Sequence, residues 1–261
     1  MNNEVAILCT GSELMGRKQD TNSFWIASKL QSIGYASGEI RIVRDDFNKI
    51  LSTIKEWIEM YPIIFVTGGM GNTGDDFSRK VIFELGKGDL KILGKEYRKH
   101  LYTLYKKWIG RLPRRAMEQL VVTSDSIPLF NKKGTSPGIL LRCKTSTIFF
   151  LPGVPDEVKC IFNGHIKKHL LNNQKKQVKK YSAYFEKLSE TELNHYIKRK
   201  NWIQYEGIDI GIYCSKNIIE LQVTDYENRD IFFYEWQELL KYLKMNLLSE
   251  DVTNEFIAKL D

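Results

Sequence analysis

Pro62-Ile63-Ile64-Phe65-Val66-Thr67-Gly68-Gly69-Met70-Gly71-Asn72-Thr73-Gly74-Asp75-Asp76 is the stretch on which the reading of the fold turns. Its first five residues are apolar without polar alternation, the pattern of a parallel strand buried on both faces. The strand runs straight into a loop with four glycines, which permit close approach of backbone to a ligand. A helix is expected from about Asp75 to Leu85. Gly69-x-Gly71-x-x-Gly74 matches the spacing of a dinucleotide fingerprint, but it follows the third strand of the chain, not the first. Asp75 and Asp76 also sit where a pyrophosphate would rest on the helix N-terminus, and two carboxylates there repel an anion. A divalent metal bridging carboxylate and phosphate removes that conflict, since Mg²⁺ commonly takes one or two carboxylates plus substrate phosphates. The plainer reading makes the Asp pair a helix cap and first-turn charge worth about 1 kcal/mol. The spacing alone leaves both readings open.

Working outward, the chain before this stretch alternates strand and helix. Val5–Thr10 is a continuous apolar run and reads as a buried strand. A helix from about Thr21 places Phe24, Ile26, Ala27, Leu30 and Ile33 near helical spacing, and Gly34 stops it. A strand near Glu39–Val43 follows. Asp46 is positioned to cap a helix with Phe47, Ile50, Leu51, Ile54, Trp57 and Ile58 on one face. This βαβαβα order predicts an α/β fold with a doubly wound, mostly parallel sheet. Such sheets bind ligands at the carboxyl ends of their strands, where the segments after Thr10 and Val66 both fall.

After the glycine loop, residues 95–120 are expected to be helical, with Tyr97, Leu101, Leu104, Tyr105 and Trp108 apolar and Pro113 opening a new short helix. Gly138–Cys143 and Thr147–Leu151 read as a hairpin. Pro155 opens a helix with Asp156 and Glu157 in its first turn and Lys167, Lys168 and His169 in its last, a polarity that suits the helix dipole. Residues 172–180 are polar and basic without apolar period and read as a linker. Beyond it the order is β-α-β-β-α. Ser189-Glu190-Thr191-Glu192 is a capping box, and Phe233, Trp236, Leu240, Leu243 and Leu247 form the stripe of the last helix. The expected domains are 1–171 and 181–261.

The 261 residues carry a net charge of +7, unevenly spread. Residues 94–180 hold 19 Lys/Arg against 5 Asp/Glu, whereas residues 181–261 hold 9 against 15. The basic middle favours anions or is a solvated surface. No apolar run approaches the roughly 18 residues of a membrane span, and no basic leader precedes the first strand, so the expected compartment is the cytoplasm. Cys9, Cys143, Cys160 and Cys214 form no CxxC pair and are expected to be reduced. His165 and His169 stand four residues apart without the acid of an HExxH motif and read as a solvated face.

Thr67-Gly68-Gly69-Met70-Gly71-Asn72-Thr73-Gly74-Asp75-Asp76 resembles the TGGxGPTxDD motif of the CinA-like branch of the molybdopterin-binding fold. Gly11-Ser12-Glu13-Leu14-Met15-Gly16 with Asp20-Thr21-Asn22 is similar to its opening GTELLxG…DTN block. Gly134-Thr135-Ser136-Pro137-Gly138 resembles its GTAPG loop, and Leu151-Pro152-Gly153-Val154-Pro155-Asp156-Glu157-Val158 its LPGVPxEM turn. The four ordered blocks span about residues 4–170, and the tail resembles the family's small KH-like domain in its order of elements. Asn72 departs from the family's Pro, and the first block is one residue short between Glu13 and Asp20. No residues match the C-terminal amidohydrolase domain of full-length CinA proteins, so nicotinamide-mononucleotide deamidation is not expected of this sequence.

The resemblance implies an ADP-ribose pyrophosphatase dependent on a divalent metal (Mg, Mn or Co). Alternatively it implies a non-catalytic molybdopterin- or nucleotide-binding module, or a molybdopterin adenylyltransferase-like protein. Asp75 and Asp76 are the implied catalytic residues, and with Glu13 they are the implied metal ligands. Thr67, Gly68, Gly69, Gly71, Asn72, Thr73, Gly134, Thr135, Ser136, Gly138, Pro152 and Gly153 are the implied substrate and phosphate contacts. Basic residues of the 94–180 segment are expected to neutralise phosphate charge. The partner is a small nucleotide or pterin, and a homo-oligomer is expected. Nucleic-acid binding is not expected, because the KH-like tail lacks a GxxG loop and is acidic.

Overall fold

The structure, a computed structural model, describes residues 4–173, 178–215 and 217–254. The chain divides into two compact units, the first running to Asn173. In the first, β1 (Glu4–Thr10), α1 (Asn22–Ser32), β2 (Ala36–Val43), α2 (Phe47–Ile58), β3 (Ile63–Thr67) and α3 (Phe77–Leu85) alternate as the apolar pattern predicts. A short ribbon follows, formed by β4 (Leu90–Ile92) and β5 (Val121–Thr123) around α4 (Lys95–Ile109) and a 3₁₀ segment, Arg114–Leu120. Then come β6 (Ile127–Leu129), β7 (Gly138–Cys143), β8 (Ser146–Leu151), α5 (Pro155–Ile161) and α6 (Lys167–Asn173). One π turn, Phe162–Ile166, separates the last two helices, where the sequence predicts one continuous helix.

The main sheet has the order β2-β1-β3-β8-β7-β6, parallel across its first four strands and antiparallel in the last two. Helices cover both faces. Ala6, Leu8, Ile64, Val66, Ile148 and Phe150 point toward Ile50, Ile54 and Trp57 of α2 and Val81 of α3. On the opposite face Phe65 stacks on Phe149 at 5.0 Å between centroids and approaches Phe162, which Trp25 of α1 meets edge-on. Alternation of side chains along each strand feeds both layers, which is why these strands read as unbroken apolar runs. Asp46 caps α2 as predicted, accepting the Lys49 N–H at 2.9 Å. Phe24 and Trp108 fit the expected apolar stripes of α1 and α4 but stand exposed, since no described element covers them.

The second unit holds β9 (Lys179–Glu186), α7 (Glu190–Arg199), β10 (Ile208–Ser215), β11 (Ile218–Asp225), α8 (Asp230–Tyr242) and β12 (Leu247–Asn254). Its antiparallel sheet has the order β10-β11-β9-β12. Tyr181, Ala183 and Phe185 on one face of β9 pack with Leu193 and Ile197 of α7 and with Trp202 and Trp236. The capping box at Ser189 and Glu192 is formed. Trp236, Leu240 and Leu243 of the expected α8 stripe are buried, and its two ends depart. Phe232 is buried and Phe233 is not, while Leu247 opens an additional strand. Of the expected linker, residues 174–177 lie outside the described residues, and Lys179 and Lys180 begin β9.

One buried side chain fixes where α3 begins. Arg79 is 6% exposed, and its guanidinium donates to the carbonyls of Gln119 (3.0 Å), Glu118 (2.5 Å) and Val121 (2.7 Å). Its backbone N–H donates to the carbonyl of Gly69 at 3.2 Å, so α3 is tied at once to the glycine loop and to the segment before β5. Burial draws the guanidinium pKa down to about 10, which leaves it charged at neutral pH. Arg79→Met leaves those carbonyls without their donor, and we expect a loss of about 3 kcal/mol. Urea unfolding checks this as a lowered midpoint at unchanged slope. A loss below about 1 kcal/mol contradicts the anchoring role.

Candidate functional site

The register brings the carboxyl ends of the four parallel strands level, with Thr10 opposite Val43, Thr67 opposite Cys9, and Leu151 opposite Thr67. A cleft of about 560 Å³ opens there. Thr10 at the end of β1 lines it with Gly11, Glu13 and Lys18 of the loop that follows, and Asp45 with them from the loop after β2. The loop after β3 contributes Gly68, Gly69, Met70, Gly71, Asp75 and Asp76. Thr135 and Ser136 come from the loop before β7, and the segment Pro152–Pro155 with Glu157 from the end of β8 and the start of α5.

Two glycines make this convergence possible. Gly68 has φ +99° and Gly69 φ +63°, a region side chains rarely enter. A Cβ on Gly68 would collide with the Thr10 carbonyl, and one on Gly69 would lie 2.8 Å from Ser78 Oγ. The Gly68 N–H donates to the Leu151 carbonyl at 3.0 Å, which stitches the glycine loop to the β8 loop. The Gly69 and Met70 N–H groups are taken by no carbonyl or side chain among the described residues.

The acidic pair is built into the loop and does not act as a helix cap. Asp76 occupies the N-cap position of α3 but accepts nothing from the helix. It reaches back instead, taking the Gly71 N–H at 2.9 Å, the Thr73 N–H at 2.6 Å and the Thr73 hydroxyl. Asp75 Oδ1 lies 2.5 Å from the same hydroxyl, whose hydrogen bond holds the Asp75 carboxyl below its ordinary range. Two carboxylates thus face one hydroxyl that has one proton to give.

Of the expected contacts, Gly68, Gly69, Gly71, Thr135, Ser136, Pro152 and Gly153 line the cleft with Glu13, Asp75 and Asp76. The Gly71 N–H is already taken by Asp76. Ser136 Oγ donates to the Met70 carbonyl at 2.5 Å, so this hydroxyl joins two loops. Asn72, Thr73, Gly134 and Gly138 lie outside the lining, and so does Thr67, whose hydroxyl is buried against Cys9 Sγ. Glu13, Asp75 and Asp76 do not assemble into a three-ligand metal group, and no group of three His, Cys, Asp or Glu does so among the described residues. The Glu13 carboxylate lies over Gly11, because the short loop after β1 folds back on itself. Asp20 caps α1 through the Asn22 and Ser23 N–H groups, and Asn22 ties α1 to the Gly153 carbonyl at 2.8 Å.

The charge of the lining differs from expectation. Among the described residues Lys18 is the one cation of the lining, and no described Lys or Arg of residues 94–180 takes part. Those side chains lie mostly on exposed surface, on α4 above all. Glu13, Asp45, Asp75, Asp76 and Glu157 make the cleft acidic. His165 and His169 are not a solvated pair either. His165 Nε2 lies 3.1 Å from the Phe130 carbonyl, and His169 meets Phe149 edge-on.

Glu157 stands in the first turn of α5 as expected, but its carboxylate also lines the cleft, a place the sequence does not announce. Asn131, 2% exposed, donates its Nδ2 to Glu157 Oε2 at 2.6 Å and to the Ser136 carbonyl at 2.9 Å. Asn131 Oδ1 accepts the Lys133 and Gly134 N–H groups at 3.0 Å each. The Glu157 carboxylate fills the space where a Cβ on Gly134 would stand. Burial pushes its pKa up, and no cation pairs with it among the described residues. Gly134 is thus needed for the fit of Glu157, a long-range contact that only spacing to an acid 23 residues on could have hinted at.

A family profile described as "Probable molybdopterin binding domain" matches residues 6–172. A CinA-like protein of Petrotoga mobilis is 36% identical over 72% of this chain and 46% of its own length. A CinA-like protein of Endomicrobium trichonymphae is 27% identical over 95% of this chain and 61% of its own length. The chain therefore spans about half to three-fifths of these two relatives, whereas it matches 84% of a protein of Sulfurisphaera tokodaii at 31% identity. Among solved structures, CinA of Thermoplasma acidophilum, titled a protein of unknown function, superposes with a TM-score of 0.55 at 24% identity. It covers 64% of this chain and 98% of that one, a likeness of fold. With strand order, glycine loop and sequence match in agreement, the chain belongs to the molybdopterin-binding domain family and is CinA-like within it.

Proposed function

We propose that the first unit is a divalent-metal-dependent pyrophosphatase acting on ADP-ribose or a related nucleotide. The observation that carries this reading is the charge of the cleft. Five carboxylates and one lysine line a site whose glycine loop offers the Gly69 and Met70 N–H groups. A pyrophosphate enters such a site favourably only with a cation that offsets the carboxylates.

Asp75 and Asp76 suit that cation on the chemistry of their donors. They are two hard oxygen ligands sharing one hydroxyl proton, with lone pairs left over. Two carboxylates suit an ion that keeps most of its shell for water and phosphate. When bound there, a divalent ion would polarise a phosphoryl oxygen and lower the pKa of a water. The residues of the chain would do the rest. The free N–H groups of Gly69 and Met70 would orient one phosphate, and Asp76 would hold the loop in shape through Gly71 and Thr73. Water would add to one phosphorus as the P–O–P bridge breaks, giving AMP and ribose 5-phosphate.

One observation favours a second reading, a module that binds molybdopterin or a nucleotide without chemistry. Asp76 already serves the loop with three accepted hydrogen bonds, a structural role that needs no reaction. The family profile's description agrees with that reading.

The two readings separate by assay. Purified protein incubated with ADP-ribose and Mg²⁺, Mn²⁺ or Co²⁺ is expected to release AMP, and EDTA to abolish the release. Binding that persists in EDTA, with no AMP formed under any metal, supports the module instead. Asp75→Asn is the sharper variant, since the Asp75 side chain is held locally, by the Thr73 hydroxyl and its own backbone N–H. Its rate is expected to fall about a hundredfold or more while its stability stays within about 0.5 kcal/mol of the parent. An unchanged rate removes Asp75 from the mechanism.

A further inference from the structure

Glu157 stands in the cleft with no cation paired to it among the described residues, apart from the acidic pair and on a different loop. A half-buried carboxylate is costly unless something takes its lone pairs. Asn131 takes one oxygen and is itself saturated by four hydrogen bonds, so it cannot turn away. The orientation of the carboxylate is therefore fixed, with Oε2 tethered. Gly134 is the residue that leaves room for it.

The surroundings say what kind of group could meet it. Glu157 repels phosphate. Besides Met70 of the glycine loop, the apolar side chains lining the cleft are Pro152, Val154 and Pro155, all on the segment leading into Glu157. An apolar wall beside an anchored hydrogen-bond acceptor fits a flat heterocycle that carries an N–H donor at its edge. We infer that Glu157 is a specificity residue, accepting a hydrogen bond from the ring amino group of the nucleotide or pterin whose phosphate rests on the glycine loop. This rests on the reading that a nucleotide-like ligand occupies the cleft, but not on its being hydrolysed.

The tether gives the inference a sharp consequence. In Glu157→Gln the amide oxygen must face the Asn131 Nδ2 donor, so the new NH₂ faces the ligand. The acceptor becomes a donor with no change of shape. Calorimetric titration in Mg²⁺ with AMP, whose ring bears an amino group, purine riboside 5′-monophosphate, which lacks it, and IMP, which has an oxo group there, tests this. The parent is expected to prefer AMP over the other two by about tenfold or more, as for one charge-assisted hydrogen bond. Glu157→Gln is expected to lose that preference and to shift toward IMP. Gly134→Ala, whose Cβ would displace the carboxylate, is expected to lose the preference without gaining one for IMP. Inorganic pyrophosphate binding retained in both variants shows that the fold and the glycine loop survive. Equal losses for AMP and purine riboside monophosphate, or an equal loss for ribose 5-phosphate, place Glu157 elsewhere and overturn the inference. If the parent binds none of the nucleotides, the inference falls together with nucleotide occupancy. If it binds them with the expected preference but releases no AMP from ADP-ribose, only the proposed hydrolysis falls.

Discussion

The left-handed turn at Gly68 and Gly69 is the constraint from which the site follows. At that point β3 must stop, clear the Thr10 carbonyl of the neighbouring strand and deliver the chain to α3. With no Cβ at either position, the Gly68 N–H reaches Leu151 and the Gly69 carbonyl reaches Arg79. A backbone that turns this tightly beside a parallel sheet exposes N–H groups at the sheet's carboxyl end, which is where α/β folds bind anions. The loop after β8 closes on the same turn, since the position of a Cβ on Gly153 is only 3.5 Å from the Gly68 Cα. The cleft exists because two glycine-bearing loops can meet almost backbone to backbone.

Around that turn the structure separates tasks that one sequence motif merges. Ser136 and Asp76 read as ligand contacts, yet both first serve the glycine loop, one through Met70 and the other through Gly71 and Thr73. Arg79 does the same from α3, with its backbone N–H on the Gly69 carbonyl and its guanidinium on the carbonyls of Glu118, Gln119 and Val121. Such supports hold a loop within the tolerance that positioning requires. They also remove the Gly71 N–H and the Ser136 hydroxyl from the groups open to a ligand, while the Gly69 and Met70 N–H groups, Lys18 and Glu157 stay among those that line the cleft.

Much of this was legible in the sequence because it is local. Val5–Thr10 and Pro62–Val66 are apolar throughout, and Asp46 precedes its helix at capping distance, so strands, helices and the loop at the sheet's end could be placed from pattern. What could not be read depends on partners far along the chain. Arg79 meets carbonyls about 40 residues away, and Asn131 meets Glu157 across 26 residues. Nothing in the period of α5 distinguishes Glu157, which faces the cleft, from Asp156, which is exposed. Phe24 and Trp108 fit helical stripes, but whether a neighbour covers that side of the helix is a tertiary fact. The basic middle of the chain failed as a guide for the same reason. Composition counts charges, and the described Lys and Arg of that segment, those of α4 among them, lie mostly on exposed surface while the cleft receives acids.

That distribution bears on how a ligand would be chosen. A cleft lined by basic residues would take any polyphosphate. A cleft lined by Glu13, Asp45, Asp75, Asp76 and Glu157 rejects a bare anion, and so makes entry conditional on what accompanies the phosphates. In the proposed reaction the cation satisfies one end of the cleft and a ring N–H the other, so selection falls on the whole ligand and not on its charge. The tether between Asn131 and Glu157 matters here because a carboxylate free to rotate could turn toward water when the wrong ring arrives. Held by an amide with no unused hydrogen bond, it stays desolvated and unpaired against a ring that offers no donor, and that penalty is what discriminates.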